Sequence, residues 1–354
     1  MSKKTILIAA GGTGGHIFPA LSVAKQLMPI YEIIWVGAKS GIENNIVPQN
    51  NIALKTLNIS GLRKKGIFKF ILMPFLLLYS FTQAFFVIFS TRPDVIVGFG
   101  GYVTFPICFM GWVLRVPVVI HEQNSVAGLT NKLLAKIANH VMVAFDGVLN
   151  SKKTSLVGNP VRADILNLAP IHERYSKRCG GLNILVVGGS LGARVFNEIM
   201  PQVCSELTNL ANITHQVGNS VDKELIIKEY QKYNISANVV NFIDDMAYVY
   251  NNADLIVCRS GASTVSEIMA AGIAAIFIPY PYAVDDHQRY NAQPLVDINA
   301  GYMIVQSDLT VAKLSGLINS LDRERCMNMA LNAHSIAITD SVSRIVNIIV
   351  KHII

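Results

Sequence analysis

Along the chain, short runs of β-branched and aliphatic residues alternate with longer stretches of helical periodicity, and glycine or polar turns stand between them. The runs are Ile6 to Ala10, Ile33 to Val36, Ile52 to Leu57, Asp94 to Gly98, Val116 to His121 and Val141 to Ala144, then Asn183 to Val187, Val239 to Phe242, Leu255 to Cys258 and Ala274 to Ile278. Alternation of this kind predicts an α/β protein with parallel sheets covered by helices on both faces. The strand, glycine turn, helix layout that opens the chain at Gly11-Gly12-Thr13-Gly14-Gly15-His16 returns at Gly188-Gly189-Ser190-Leu191-Gly192. With 354 residues, more than one hydrophobic core usually supports, the repeat predicts two domains in tandem.

A linker-like stretch from Gly158 to Gly181 sets the boundary, giving an N-terminal domain over 1–161 and a C-terminal domain over 162–339. The segment 340–354 is apolar on one face and either finishes the second domain or returns to the first. Ligands of open parallel sheets bind beyond the carboxyl ends of the strands, so two such domains face each other across a cleft lined by both glycine turns. A third turn, Gly98-Phe99-Gly100-Gly101-Tyr102, lines it from the first domain or serves chain reversal alone.

The first glycine turn is not a dinucleotide fingerprint. Ile17 stands where the third glycine of G-x-G-x-x-G is required, and Gly37-Ala38-Lys39 after the second strand offers no carboxylate for a ribose. A net charge of +7 in a chain with only 15% charged residues suits an anionic surface or substrate. Nucleic acid is disfavoured, because no basic tail, zinc-finger spacing or aromatic RNA-binding signature is present. Five scattered cysteines without a C-x-x-C pair argue against disulfides and zinc and fit a reducing cytoplasm. The apolar run after Lys4 is too short for a secretory signal.

Between Phe70 and Phe89 there is no charged residue, while Arg63, Lys64, Lys65, Lys69 and Arg92 flank the segment. Its length permits a membrane span, yet it sits where a crossover helix of the first sheet belongs and contains Pro74, Ser80, Thr82 and Gln83. The preferred reading is a domain helix whose outer face dips into the headgroup region of anionic lipid; a buried core helix and a true span are the other two.

Several clusters carry candidate chemistry. His16, beside a glycine turn at a helix start, is suited to act as a base or else caps and packs the helix. His121-Glu122-Gln123-Asn124 closes a strand and is expected to line the cleft. Ser190 matches the G-x-S-x-G nucleophile elbow, for which Asp285 or Asp297 and His287 or His334 would complete a hydrolase; the tandem layout favours a phosphate or hydroxyl contact instead. Arg259 to Glu267 again starts a helix and aims free N–H groups at an anion without need of a metal, with Glu267 either a ligand or a helix-terminal carboxylate. Asp285-Asp286 reads as a solvated turn or cap.

Taken together, GGTGGH at 11–16, GLRKKG at 61–66, GFGGYV at 98–103, HEQN at 121–124, GNPVR at 158–162, GGSLGAR at 188–194 and RSGASTVSE at 259–267 resemble, in order and nearly end to end, the MurG family. These are membrane-associated N-acetylglucosaminyltransferases of peptidoglycan synthesis. The resemblance implies two Rossmann-like domains of the GT-B type, peripheral on the cytoplasmic face of the bacterial inner membrane. The first would hold the lipid acceptor and the second mainly UDP-N-acetylglucosamine. It implies transfer of N-acetylglucosamine to the C4 hydroxyl of the muramyl sugar in undecaprenyl-pyrophosphoryl-MurNAc-pentapeptide (lipid I), giving lipid II and UDP, with inversion and with no cofactor or metal. By motif, Thr13, Gly14 and Gly15 border donor and acceptor, Asn124 contacts the donor sugar, and Arg162, Ser190 and the Ile243 backbone hold UDP. The helix start Ala262, Ser263, Thr264, Val265, Ser266 takes the pyrophosphate, Glu267 the ribose hydroxyls and Gln288 the sugar, with His16 the leading general base. Two alternatives stay open: another UDP-sugar enzyme of this fold, such as a 2-epimerase, and a non-catalytic membrane scaffold.

Overall fold

The computed structural model describes residues 3–59, 67–189 and 192–353, with the backbone alone over 67–75. The GLRKKG motif and Ser190 lie outside the described residues. The chain divides into two compact units, Met1–Pro160 with Asp340–Ile354, and Val161–Thr339.

The first unit runs β1 (Thr5–Ala10), α1 (Gly14–Leu27), β2 (Glu32–Ala38), α2 (Glu43–Gln49), β3 (Ala53–Leu57), α3 (Ile67–Thr91), β4 (Val95–Gly100), α4 (Thr104–Val113), β5 (Val118–Glu122), α5 (Leu129–Leu134), β6 (His140–Val143) and β7 (Thr154–Leu156). Its strands form one parallel sheet in the order β3-β2-β1-β4-β5-β6-β7, with Ile8 opposite both Trp35 and Val97. Ile6, Leu7 and Ile8 are wholly buried, as a central strand covered by helices on both faces must be. Chain order reverses between β1 and β4, and ligands of open parallel sheets bind beyond the carboxyl ends of the strands at such a switch point.

Helix α3 connects β3 to β4 within this one sheet, which excludes the spanning alternative for 67–89. Nor is it a buried core helix: Ser80, Ala84 and Ile88 face inward while Leu78, Phe86 and Phe89 are exposed. Among the described residues no helix is long and apolar enough to cross a membrane.

The second unit runs α6 (Ala163–Leu166), α7 (Ile171–Ser176), β8 (Leu182–Val187), α8 (Arg194–Ser205), β9 (Leu210–Gln216), α9 (Lys223–Lys232), β10 (Asn238–Val240), α10 (Met246–Asn252), β11 (Leu255–Cys258), α11 (Ala262–Ala271), β12 (Ala274–Phe277), α12 (His287–Asp297), β13 (Gly301–Met303), α13 (Val311–Asn319) and α14 (Arg323–Ser335). Its parallel sheet, β10-β9-β8-β11-β12-β13, repeats the reversal between β8 and β11. The stretch expected to be a linker is instead packed: Arg174, nearly buried, donates from Nε to the Ala169 carbonyl at 2.9 Å and from its terminal nitrogens to the carbonyls of Tyr250, Ala271 and Gly272. Buried Asp254 is held by Arg178 at 2.6 Å and by the Asn183 amide at 2.8 Å.

The last helix, α15 (Ser341–Lys351), returns to the first unit, which settles the two readings of 340–354. Ile345 and Ile349 bury wholly in the core that includes α1, and the Ser341 hydroxyl donates to the Asn159 carbonyl at 2.8 Å.

Candidate active site

In the first unit, the glycine turns after β1 and β4 lie against each other, with the Gly11 amide donating to the Gly100 carbonyl at 3.3 Å. Gly101 has φ +89°, and a methyl there would collide with the Gly11 carbonyl; at Gly100 it would strike the His16 ring. Helix α1 begins at Gly14, so His16 stands inside its first turn. His16 Nδ1 lies 3.0 Å from the Phe99 carbonyl oxygen and 3.2 Å from Gln123 Oε1, and Gln123 Nε2 donates to the same carbonyl at 2.6 Å. A carbonyl only accepts, so Nδ1 carries the hydrogen, and in the neutral imidazole the lone pair then lies on Nε2.

The expectation that His121 to Asn124 line a cleft needs correction. His121, Glu122 and Gln123 are buried, and only Asn124 is half-exposed. His121 bonds the Gly158 carbonyl at 3.0 Å, and burial brings its pKa down to about 4, so it stays neutral. The Glu122 carboxylate accepts from the amides of Asn124 and Gly128 and from Asn131 Nδ2, fixing the loop that carries Asn124. Thr13 and Gly15 are exposed and Gly14 is half-buried.

Glu43 escapes sequence reasoning. It is wholly buried at the start of α2 and accepts from the amides of Ala38 at 2.7 Å and Gly12 at 3.4 Å. Its carboxylate occupies space that methyls at Gly11, Gly37 or Gly41 would take, so it supports the first glycine turn from behind. The three surrounding glycines are the only sequence trace of it.

In the second unit, α11 follows β11 through Gly261, and the Val265 amide is the first to bond within the helix, at 3.0 Å to the Gly261 carbonyl. The amides of Ala262, Ser263 and Thr264 therefore present the positive end of the helix. Beside it, the Ser260 hydroxyl is buried without a partner. Glu267, in the second turn, pairs with Arg162 at 3.5 Å and accepts from the Tyr250 hydroxyl at 3.0 Å. Burial pushes its carboxyl above the usual range, opposed by the Arg162 charge and the Tyr250 hydrogen bond. Thus Arg162, Glu267 and the start of α11 come together.

Gln288 is half-buried on α12; its Oε1 accepts from the Tyr280 amide at 2.9 Å, which leaves its NH₂ to donate elsewhere. Ile243 is buried in the loop between β10 and α10. Gln216 steadies the second glycine turn through the Gly189 carbonyl at 3.0 Å. The imidazoles proposed for a hydrolase are engaged otherwise: His287 Nδ1 meets the Val284 carbonyl at 2.8 Å and His334 Nδ1 the Ala270 carbonyl at 3.0 Å, so neither is oriented there by Asp285 or Asp297.

Residues 6–143 match the glycosyltransferase family 28 N-terminal domain, and residues 183–346 match its C-terminal domain. The chain is 46% identical over 344 residues to the UDP-N-acetylglucosamine--N-acetylmuramyl-(pentapeptide) pyrophosphoryl-undecaprenol N-acetylglucosamine transferase of Neisseria meningitidis serogroup C (strain 053442), covering 96% of each protein. It is 42% identical, with the same coverage, to the protein of that name from Nitrosomonas europaea. Among solved structures, MurG of Acinetobacter baumannii is similar with a TM-score of 0.88 at 37% identity, over 98% of this chain and 99% of that one. The UDP-GlcNAc 2-epimerase of Neisseria meningitidis bound to UDP-GlcNAc reaches 0.69 at 12% identity over 98% and 100%, a likeness of fold alone. Sequence, both domain matches and structure agree that the chain belongs to glycosyltransferase family 28 and, within it, to the MurG N-acetylglucosamine transferases.

Proposed function

We propose that this chain transfers N-acetylglucosamine from UDP-N-acetylglucosamine to the C4 hydroxyl of the muramyl sugar of lipid I, with inversion and without a metal ion. The observation that carries the donor half is the cluster of helix α11 start, Arg162 and Glu267 in one unit. A helix N-terminus with an adjacent guanidinium matches a diphosphate, and a carboxylate nearby matches the vicinal hydroxyls of a ribose. Gln288 donates to the sugar, the Ile243 backbone and Ser190 hold the nucleotide, and Asn124, with Thr13, Gly14 and Gly15, borders the transferred sugar.

The acceptor half rests on His16. As the C4 oxygen attacks the anomeric carbon from the face opposite UDP, Nε2 takes its proton. The new glycosidic bond forms while the bond to the β-phosphate oxygen breaks, and the charge arriving on UDP is stabilised by amide N–H groups already in place. UDP release that requires a lipid I analogue supports this reading. UDP-sugar conversion without acceptor would favour an epimerase, and absence of UDP-sugar binding a scaffold.

The first unit would also be the membrane-facing one, peripheral on the cytoplasmic face of the bacterial inner membrane. Its adjacent helices α3, α4 and α5 expose Phe86, Phe89, Trp112 and Leu129, with exposed Arg92, Arg115, Lys132 and Lys136 among the same elements and their ends. Apolar groups flanked by basic ones suit an anionic lipid surface. Changing Phe86 and Trp112 together to serine is expected to weaken co-sedimentation with phosphatidylglycerol vesicles by at least about tenfold, since each aromatic side chain contributes roughly 1.5–3 kcal/mol when fully buried. UDP binding should be unaltered; undiminished vesicle binding would place the membrane contact elsewhere.

A further inference from the structure

We infer that Tyr250 is a positioning residue for nucleotide recognition: its hydroxyl holds Glu267 in the orientation that reads the donor ribose. The inference rests on Glu267 being the ribose ligand and adds a residue that acts through it. Tyr250 is wholly buried in α10, and its hydroxyl donates to Glu267 Oε2 at 3.0 Å. Burial holds the phenol well above its ordinary pKa, so it remains a donor throughout the working range.

The placement of this donor is fixed from outside. Arg174 bonds the Tyr250 carbonyl at 3.4 Å and also reaches the carbonyls of Ala271 and Gly272, where α11 ends. One guanidinium thereby ties the residue bearing the phenol to the helix bearing Glu267.

Competition for the carboxylate explains why such a donor is needed. Glu267 Oε1 pairs with Arg162 at 3.5 Å, while Arg162 is also the cation available to the nucleotide phosphates. A carboxylate offers about four lone-pair directions. With one oxygen tied by Tyr250, the group cannot swing wholly toward Arg162, and the remaining acceptor directions stay aimed for a vicinal diol. Without the phenol, Glu267 would turn further toward the guanidinium it already pairs with, and the ribose would lose its oriented acceptor.

The test is calorimetric titration of UDP and 2′-deoxy-UDP into wild type, Tyr250→Phe, Glu267→Ala and the double variant. Tyr250→Phe keeps the buried ring, and its thermal midpoint checks the fold. The expected result is a loss of about tenfold in UDP affinity, the scale of one hydrogen bond to a charged group. Affinity for 2′-deoxy-UDP should scarcely change, so the preference for the full ribose narrows. Adding Tyr250→Phe to Glu267→Ala should change nothing further, as expected of a residue that acts only through its partner. Equal weakening of both nucleotides, or UDP affinity unchanged in Tyr250→Phe, overturns the inference while leaving Glu267 as the ribose ligand. A wild-type preference for UDP retained in Glu267→Ala overturns the ribose reading and, with it, the role of Tyr250.

Discussion

Replacing His16 with alanine is expected to lower kcat by about 10²- to 10⁴-fold, the usual contribution of a positioned general base. Donor affinity should change little, because the groups assigned to the UDP moiety belong to a different unit. The reason lies in how the ring is held. Nδ1 faces the Phe99 carbonyl and Gln123 Oε1, both acceptors, so in the neutral imidazole the proton sits on that nitrogen and the lone pair on Nε2. Gln123 is itself pinned by the same carbonyl. Single-turnover transfer to a lipid I analogue, with calorimetry of UDP-N-acetylglucosamine on the same variant, measures both quantities. Near-wild-type turnover with intact donor binding would show that His16 is not the base.

A comparable loss is expected from Gly101→Ala, although Gly101 carries no reactive group. Its φ of +89° is open to glycine and strained for alanine, and the added methyl would meet the Gly11 carbonyl. The backbone must shift, and with it the preceding Phe99 and Gly100 that orient and contact His16. A displacement of about 1 Å at a catalytic group costs on the order of 10²-fold in rate. Gly128→Ala is the control: a methyl there meets nothing within 4 Å, and φ is −67°. The measurement is kcat for both variants beside UDP affinity. If Gly101→Ala turns over like Gly128→Ala, contact between the two glycine turns does not position the base.

How much of this was legible beforehand depended on whether the signal was local. The central strands β1, β4 and β11 are fully buried, and β8 is buried apart from Asn183; they show themselves as the apolar runs 6–10, 95–97, 184–187 and 255–258, because helices cover both their faces. Strand β9 does not: Asn212, Thr214 and His215 interrupt it, although the sheet places it between β8 and β10. Strands β7 and β13 span three residues each, too few for a pattern to emerge. The stretch after Pro160 looks like a linker because Arg174 and its neighbours are polar. What makes it part of the second unit is the set of distant carbonyls that Arg174 reaches.

The same division runs through the site. His16, Arg162 and Glu267 stand in motifs and can be named from them. Gln123 could be named but not understood, since its role depends on the Phe99 carbonyl, 24 residues away. Glu43 and Tyr250 have no motif, and only packing reveals that one supports the first glycine turn and the other holds Glu267.

The central claim is tested most directly by incubating the wild-type chain with UDP-N-acetylglucosamine radiolabelled in the sugar and a lipid I analogue, with and without EDTA, and counting label in the lipid fraction. Label that enters the lipid at the same rate in both reactions, and that fails to enter when the muramyl C4 hydroxyl is blocked, is the predicted result. Label that stays in the water-soluble fraction would contradict transfer to lipid I. Label that enters only without EDTA would contradict stabilisation of the departing UDP by the protein alone.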